Sequence, residues 1–324
     1  MATISESTQN LSMKKIIIVA VVLMLVVIPL AMMAQPKTLA ELLGYPAHSK
    51  LLIIHGDDMG LSHSTNLAYM KAFPNGDITS GSVMVPCPWF AEIAAFVREN
   101  PGLDVGVHLT FTAEWKHYQW DGVSSSDEIP SLLNGNGMMY ATVEEVGAKA
   151  RPDEVEKEMR AQIERAKAYG IEPTHIDNHM GSALFNPELL KVYLKIANEY
   201  RLPYLFPSVY TAMLPPETKA LMGKNAVLLD NLFMLSPEMI TATWSEPYLK
   251  AVSQLKPGLN EIIVHLSADD AEMQAIADGH RDYGSLWRKN DWEVMASAEF
   301  KQALKENGII LVTWKQIKEA IYPR

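Results

Sequence analysis

Along most of this 324-residue chain, short apolar runs rich in β-formers alternate with longer amphipathic stretches. Leu51-Leu52-Ile53-Ile54 has no polar interruption, the pattern of a strand covered on both faces. Residues 78–85, 104–110, 174–177, 261–266 and 309–313 read as further strands, and 204–206 as a weak one. Residues 152–169 set Val155, Met159, Ile163 and Ala166 at helical spacing with charges between them. Residues 187–200 do the same with Leu190, Tyr193, Leu194 and Ala197, and 299–307 predict a helix stopped by Gly308. Such regular alternation predicts an α/β fold with a parallel sheet, open or closed into a barrel; about seven units favour an incomplete (β/α) barrel. Residues 114–148 are loop-like, rich in Gly, Ser and Asn, and are expected to form an insertion on the substrate side.

The N-terminus departs from this rhythm. Residues 1–12 are polar, Met13-Lys14-Lys15 is basic, and 16–33 is apolar, ending in Ala31-Met32-Met33-Ala34-Gln35. A basic start, an apolar core and small residues make a secretory signal with cleavage after Ala34. An uncleaved membrane anchor is the alternative, since the apolar run is near the lower limit for spanning a bilayer. Either reading exports the protein, as a periplasmic or secreted enzyme. The expected organisation is an extension and signal over 1–34 and one (β/α) barrel domain over 35–324.

Charge and cysteine content narrow the chemistry. With 38 Asp+Glu against 28 Lys+Arg, the chain lacks the concentrated positive charge that phosphate backbones require, so no nucleic-acid partner is expected. A neutral, hydroxyl-rich substrate fits better. The single cysteine, Cys87, excludes an internal disulfide and a Cys-based zinc site, and its apolar setting predicts a buried thiol. Any metal must be held by His and carboxylate.

Those residues gather where the predicted strands end, the working position in parallel α/β folds. Asp57-Asp58 follow the first strand, His108 ends the third, His175, Asp177 and His179 lie about the fourth, and His265 ends the sixth. Asp and His together suit Zn²⁺ or another divalent ion. Three protein ligands leave room for water, whose proton a neighbouring carboxylate could take. Two adjacent aspartates can divide those jobs if the turn points both into the site. Singly, each residue has a plainer reading: Asp57-Asp58 as a helix cap, His108 or His265 as a satisfied core histidine, one of His175 and His179 as structural. His55 and His63, flanking the aspartates, are open. Trp115, Tyr118 and Trp120 could stack on a sugar or fill the core.

The motifs in order resemble those of the YdjC-like (ChbG/HpnK) carbohydrate deacetylases. They are Asp57-Asp58-Met59-Gly60-Leu61-Ser62 with Asn66, then Ile78-Thr79-Ser80, Gly106-Val107-His108-Leu109-Thr110, Pro173-Thr174-His175-Ile176-Asp177-Asn178-His179, and a late strand ending in His265. The resemblance runs from about Leu51 to the C-terminus. It implies a distorted TIM-like barrel and hydrolysis of the acetamide of an N-acetylglucosamine-type sugar, within an oligo- or polysaccharide. It implies a divalent metal ion, Zn²⁺ or Mg²⁺, held by Asp58, His108 and His179. Asp57 would be the general base and His265 the general acid, with His175 and Asp177 supporting the site from behind, and a homodimer would be ordinary. The chain departs from the family at His55-Gly56, where Asn-Ala is common, at Met180-Gly181-Ser182 and at Leu266. A metal-dependent phosphoesterase or amidase would call for Arg or Lys near the strand ends. Arg281 and Arg288 are available but distant in sequence. A carbohydrate-binding relative without catalysis is the remaining alternative.

Overall fold

The apolar runs pair side by side in one parallel sheet in the computed structural model, which describes residues 37–184, 186–223 and 226–323. Its strands are β1 (Lys50–Met59), β2 (Ser80–Val83), β3 (Val105–Leu109), β4 (Ile176–Asn178), β5 (Asn231–Met234), β6 (Gly258–His265) and β7 (Ile309–Leu311). They run in the order β4-β3-β2-β1-β6-β5. The stretch Lys50 to Leu52 of β1 pairs with both β6 and β7, so β7 shares β1's other edge with β2, which takes His55 to Met59. Beyond β4 the sheet continues its curl through isolated bridges, Ile176 to Tyr204 and Pro207 to Leu229, before reaching β5. This is the incomplete (β/α) barrel that the alternation predicts.

Two elements differ from the expectation. The weak strand at 204–206 makes only those single bridges, because the chain turns away at Pro207. The strand β5 was not foreseen; its Asn-Leu-Phe-Met is apolar but only four residues long, too short to show a strand period. Helices Pro152–Ala168, Pro187–Tyr200 and Ala298–Glu306 lie where their periodicity puts them. Residues 114–148 hold a 3-10 turn at Pro130–Leu132 and a helix at Val143–Lys149 within otherwise irregular chain. Glu158 fixes that segment by accepting from the Val123 and Ser124 amides, at 2.8 and 2.9 Å. The predicted signal over 1–34 lies outside the described residues, among which no helix is long and apolar enough to cross a membrane.

Strand pleating sorts side chains between two environments. Leu52 and Ile54 of β1 pack outward with Val83, Val107, Leu109, Ile262 and Val264 against the helices. Leu51 and Ile53 face inward with Leu259, Ile263, Trp314 and Ile317, which plug the lower end of the barrel. The same inward face continues upward as polar residues: His55 and Asp57 on β1, Ser80 and Ser82 on β2, His108 on β3, Asp177 on β4, Glu261 and His265 on β6. An apolar floor thus supports a polar column that ends where the strands end.

Gly106 shows how tightly that column is packed. A Cβ there would lie 2.5 to 2.7 Å from the ring atoms of buried His175, which is stacked on Trp314 with ring centroids 5.6 Å apart. The ring has no free space to enter. Gly106→Ala is therefore expected to destabilise the fold by roughly 1–3 kcal/mol, the usual cost of overpacking, read from chemical denaturation. An unchanged midpoint would show that the His175 ring is free to move.

Candidate metal centre and active site

A regular strand would send Asp57 and Asp58 to opposite faces. They converge because Asp58 has φ +68°, and the β1–β2 register shifts between Gly56 and Met59. Backbone in this region costs a non-glycine residue of order 1–3 kcal/mol and must be held by its surroundings. The Tyr69 hydroxyl supplies part of that support by donating to the Asp57 carbonyl while accepting from the Leu266 amide at 3.2 Å. Gly56 leaves room for the Tyr69 ring, since a Cβ there would stand 2.3 Å from it.

The turn brings Asp58 Oδ1 to 3.3 Å from His108 Nε2 and 3.2 Å from His179 Nδ1. The two histidine nitrogens are themselves 3.2 Å apart. The far side of each ring fixes its tautomer. His108 Nδ1 faces Asp177 Oδ1 at 2.9 Å, and His179 Nε2 faces Glu114 Oε2 at 3.0 Å. A carboxylate only accepts, so each of those nitrogens carries the hydrogen. The lone pairs of His108 Nε2, His179 Nδ1 and Asp58 Oδ1 are then aimed at one another, an arrangement that a cation among them would satisfy. Tetrahedral bonds of about 2.0–2.1 Å would set ligand atoms about 3.3–3.4 Å apart, close to what these residues show. Asp58, His108 and His179 are thus a group able to hold a metal ion, with Asp177 and Glu114 orienting the two rings from behind.

The electrostatics agree. Burial pushes the Asp58 carboxyl upward, but the Arg288 guanidinium, 2.7 Å from Oδ2, and the two histidines hold it well below the usual range. Asp177 is also held down despite its burial, chiefly by His108. Burial pulls His179 down, yet the charge of Glu114 and the contact with Asp58 carry it up to about 9. His108 is likewise raised, by Asp177 and Asp57 against its burial. A proton therefore competes with a cation for these nitrogens. Protons occupy them below the raised pKa values, so Zn²⁺ affinity is expected to rise with pH up to about 9. Zn²⁺ titration of metal-stripped protein at a series of pH values measures this. A flat profile would mean that the histidines surrender no proton to the ion.

The remaining sequence candidates fall at graded distances from this group. Asp57, 8% exposed, lies with Oδ2 3.9 Å from His108 Nε2 and 4.0 Å from His265 Nε2. Burial lowers His265 to about 4, so its imidazole is neutral near pH 7. Its backbone amide donates to Asp291 Oδ2 at 3.3 Å, and its ring meets Tyr283 edge-on. His175 does not reach the ligand group: two residues before Asp177, it sits roughly 6–7 Å lower along the strand direction. There it accepts or donates at Thr174 Oγ1, 2.9 Å away, and packs on Trp314 and His55. His63, by contrast, is at the surface, paired with Glu92 at 2.8 Å.

Trp115 and Trp120 are buried, at 2% and 3% exposure, so the core reading of these two holds. Tyr118 is half-buried and donates to the Leu61 carbonyl at 2.6 Å. Cys87 is buried among apolar groups that push its thiol pKa up, as expected of a core cysteine.

Sequence reasoning missed Glu114 and the role of Arg288. Glu114 follows β3 in a segment without periodicity, and Arg288 reaches Asp58 from helix Ser285–Ala296, 230 residues away. Ser82, which donates to Asp177 Oδ2 at 2.8 Å, carried a usable signal: alternating serines, Ser80 and Ser82, inside an otherwise apolar strand.

Comparison with known proteins adds an independent line. The family model described as YdjC-like protein matches residues 51–306. The chain belongs to the YdjC-like family. A protein of Brevibacillus brevis named carbohydrate deacetylase is 35% identical over 82% of this chain and 99% of its own length. One of Thermus thermophilus with the same name is 31% identical over 84% of this chain and 96% of its own. Among solved structures, a putative cellobiose-phosphate cleavage protein from Enterococcus faecalis V583 superposes with a TM-score of 0.69 at 27% identity, covering 82% of this chain and 98% of that one. Membership bears out the resemblance read from the motifs, and the superposition bears out the barrel-type fold.

Proposed function

We propose that this YdjC-like chain is a metal-dependent carbohydrate deacetylase that hydrolyses the acetamide of N-acetylated sugars in oligo- or polysaccharides. The observation that carries the reading is the convergence of three lone pairs from Asp58, His108 and His179 beside a carboxylate, Asp57, that is free of that group. Family membership and relatives named carbohydrate deacetylase support the hydrolase class.

A divalent ion bound there supplies Lewis acidity, lowering the pKa of water and stabilising the oxyanion of acyl transfer. The chain's own residues do the rest. Asp57 takes the proton of the attacking water. His265 stands 4.0 Å from Asp57 Oδ2 and starts neutral, so the proton Asp57 collects is the one it passes to the departing amine. Water loses a proton and adds to the acetyl carbon, the C–N bond breaks, and the amine leaves protonated. Arg288 opposes the excess negative charge of the two aspartates through Asp58 Oδ2.

The basic, apolar and small-residue order of 13–34 supports an exported enzyme acting on an extracytoplasmic sugar polymer or its fragments. A phosphoesterase is less well supported: buried Arg288 commits Nε to the Tyr283 carbonyl and Nη2 to Asp58, at 2.7 Å each, which leaves only Nη1 without a partner among the described residues. The test is acetate release by residues 35–324 from a panel of N-acetyl-chitooligosaccharides, before and after chelation and with Zn²⁺ or Mg²⁺ restored. Acetate that vanishes on chelation and returns with metal is the expected result. Metal binding without acetate from any N-acetylated sugar would overturn the substrate assignment, and acetate release indifferent to chelation would overturn the metal.

A further inference from the structure

We propose that His55 is a positioning residue that couples the proton-accepting carboxylate to the metal-holding histidine; this rests on the roles given above to Asp57 and to Asp58, His108 and His179. His55 is wholly buried in the barrel interior. Its Nε2 stands 3.2 Å from Asp57 Oδ1, 3.0 Å from Asp177 Oδ2 and 3.1 Å from Ser82 Oγ. Its Nδ1 faces Ser80 Oγ at 3.2 Å and Glu261 Oε1 at 3.5 Å. One ring nitrogen thus lies against two carboxylates with different work. Asp57 accepts the proton of the reaction, while Asp177, through its other oxygen, grips His108 Nδ1 at 2.9 Å.

The strand order gives this contact its meaning. β1 and β4 are separated in the sheet by β2 and β3, so no backbone ladder sets the distance between Asp57 and Asp177. The His55 ring spans the interior between them, and Ser82 of β2 touches His55, His108 and Asp177 from the strands between. The ring itself is held from below by the edge-on contact with His175, centroids 5.0 Å apart. His175 in turn lies over Gly106 and Trp314. Displacing the ring would release both carboxylates together: Asp57 would lose its aim, and His108 would lose the partner that orients it. Neither a longer glutamine nor an apolar side chain reproduces an imidazole lying between the two.

The experiment measures turnover and Zn²⁺ affinity separately in His55→Gln and His55→Leu, with folding followed by thermal unfolding. Both quantities are expected to fall together. The kcat should drop by about 10²-fold, the effect of misplacing a reacting group, with KM changed less than about twofold. Zn²⁺ binding to the metal-stripped protein should weaken by about 10–100-fold, as when a ligand loses its orienting partner. Combining His55→Gln with Asp177→Asn should weaken Zn²⁺ binding by less than the product of the single effects. A folded variant that keeps both quantities overturns the proposal, as does one that loses only one of them, and loss of the fold in both variants overturns positioning in favour of a purely structural role. The Zn²⁺ titration needs no sugar, so a wild-type protein that binds metal but releases no acetate strikes the deacetylase reading and leaves the coupling to be decided by the titration alone.

Discussion

Asp57→Asn is expected to lower turnover by about 10²–10⁴-fold, the range that a positioned general base contributes, while Zn²⁺ affinity changes little. The substitution keeps the shape of the side chain and removes its ability to accept a proton. Asp57 is not among the three atoms that converge on one another: its Oδ2 is 3.9 Å from His108 Nε2, whereas Asp58 Oδ1 is 3.3 Å from the same atom. The two neighbours are divided by one backbone feature, the φ of +68° at Asp58. Steady-state acetate release and Zn²⁺ titration of the same preparation check the split. Normal turnover would show that another group takes the proton, and loss of metal together with turnover would show that Asp57 belongs to the ligand set. The resemblance assigns base and ligand in this order.

Much of this centre was legible because strands have a period of two. His55 and Asp57, Ser80 and Ser82, Gly106 and His108, and His175 and Asp177 sit at alternate positions and face the barrel interior, while His179 follows in the 3-10 turn His179–Gly181 that closes β4. Polar residues at that spacing within β-rich sequence mark an inward polar column and the strand ends that carry it. The spacing does not give depth. His175 shares its face with Asp177 yet lies below the ligand group, against Trp314, because the sheet's stagger decides which rung of each strand meets which. Nor does it foretell the turn at Asp58, which breaks the alternation that the rest of β1 obeys.

Other parts were not legible because they depend on distant chain. Glu114 orients His179 across 65 residues, and Arg288 meets Asp58 across 230. Neither sits in a motif of its own; each is one charged residue among many in a sequence that is 20% charged. The same holds for the tryptophans. Trp115 reads equally as a stacking platform or as core until Arg288 is seen 5.6 Å over its ring. The strand β5 escaped notice for a local reason, since it is only four residues long and its place is set by β6.

His108→Ala should remove metal and activity together, which separates it from Asp57→Asn. The substitution deletes one of the three converging lone pairs, and two protein ligands hold a divalent ion far less tightly than three. It also acts from behind. Asp177 is 1% exposed and loses the imidazole that faces its Oδ1 at 2.9 Å, keeping only His55 and Ser82 on Oδ2. Removing one partner of a buried charged pair costs about 3–5 kcal/mol, so the variant is expected to unfold earlier as well. His179→Ala deletes the same number of lone pairs but releases Glu114, whose side chain is 17% exposed and can be rehydrated. It should lose metal and turnover as fully as His108→Ala, with a smaller loss of stability. Zn²⁺ titration, acetate release and denaturant midpoints on the two variants test the comparison. Equal loss of stability in both would mean that water reaches Asp177 as readily as Glu114, and retention of Zn²⁺ affinity in either would remove that histidine from the metal site.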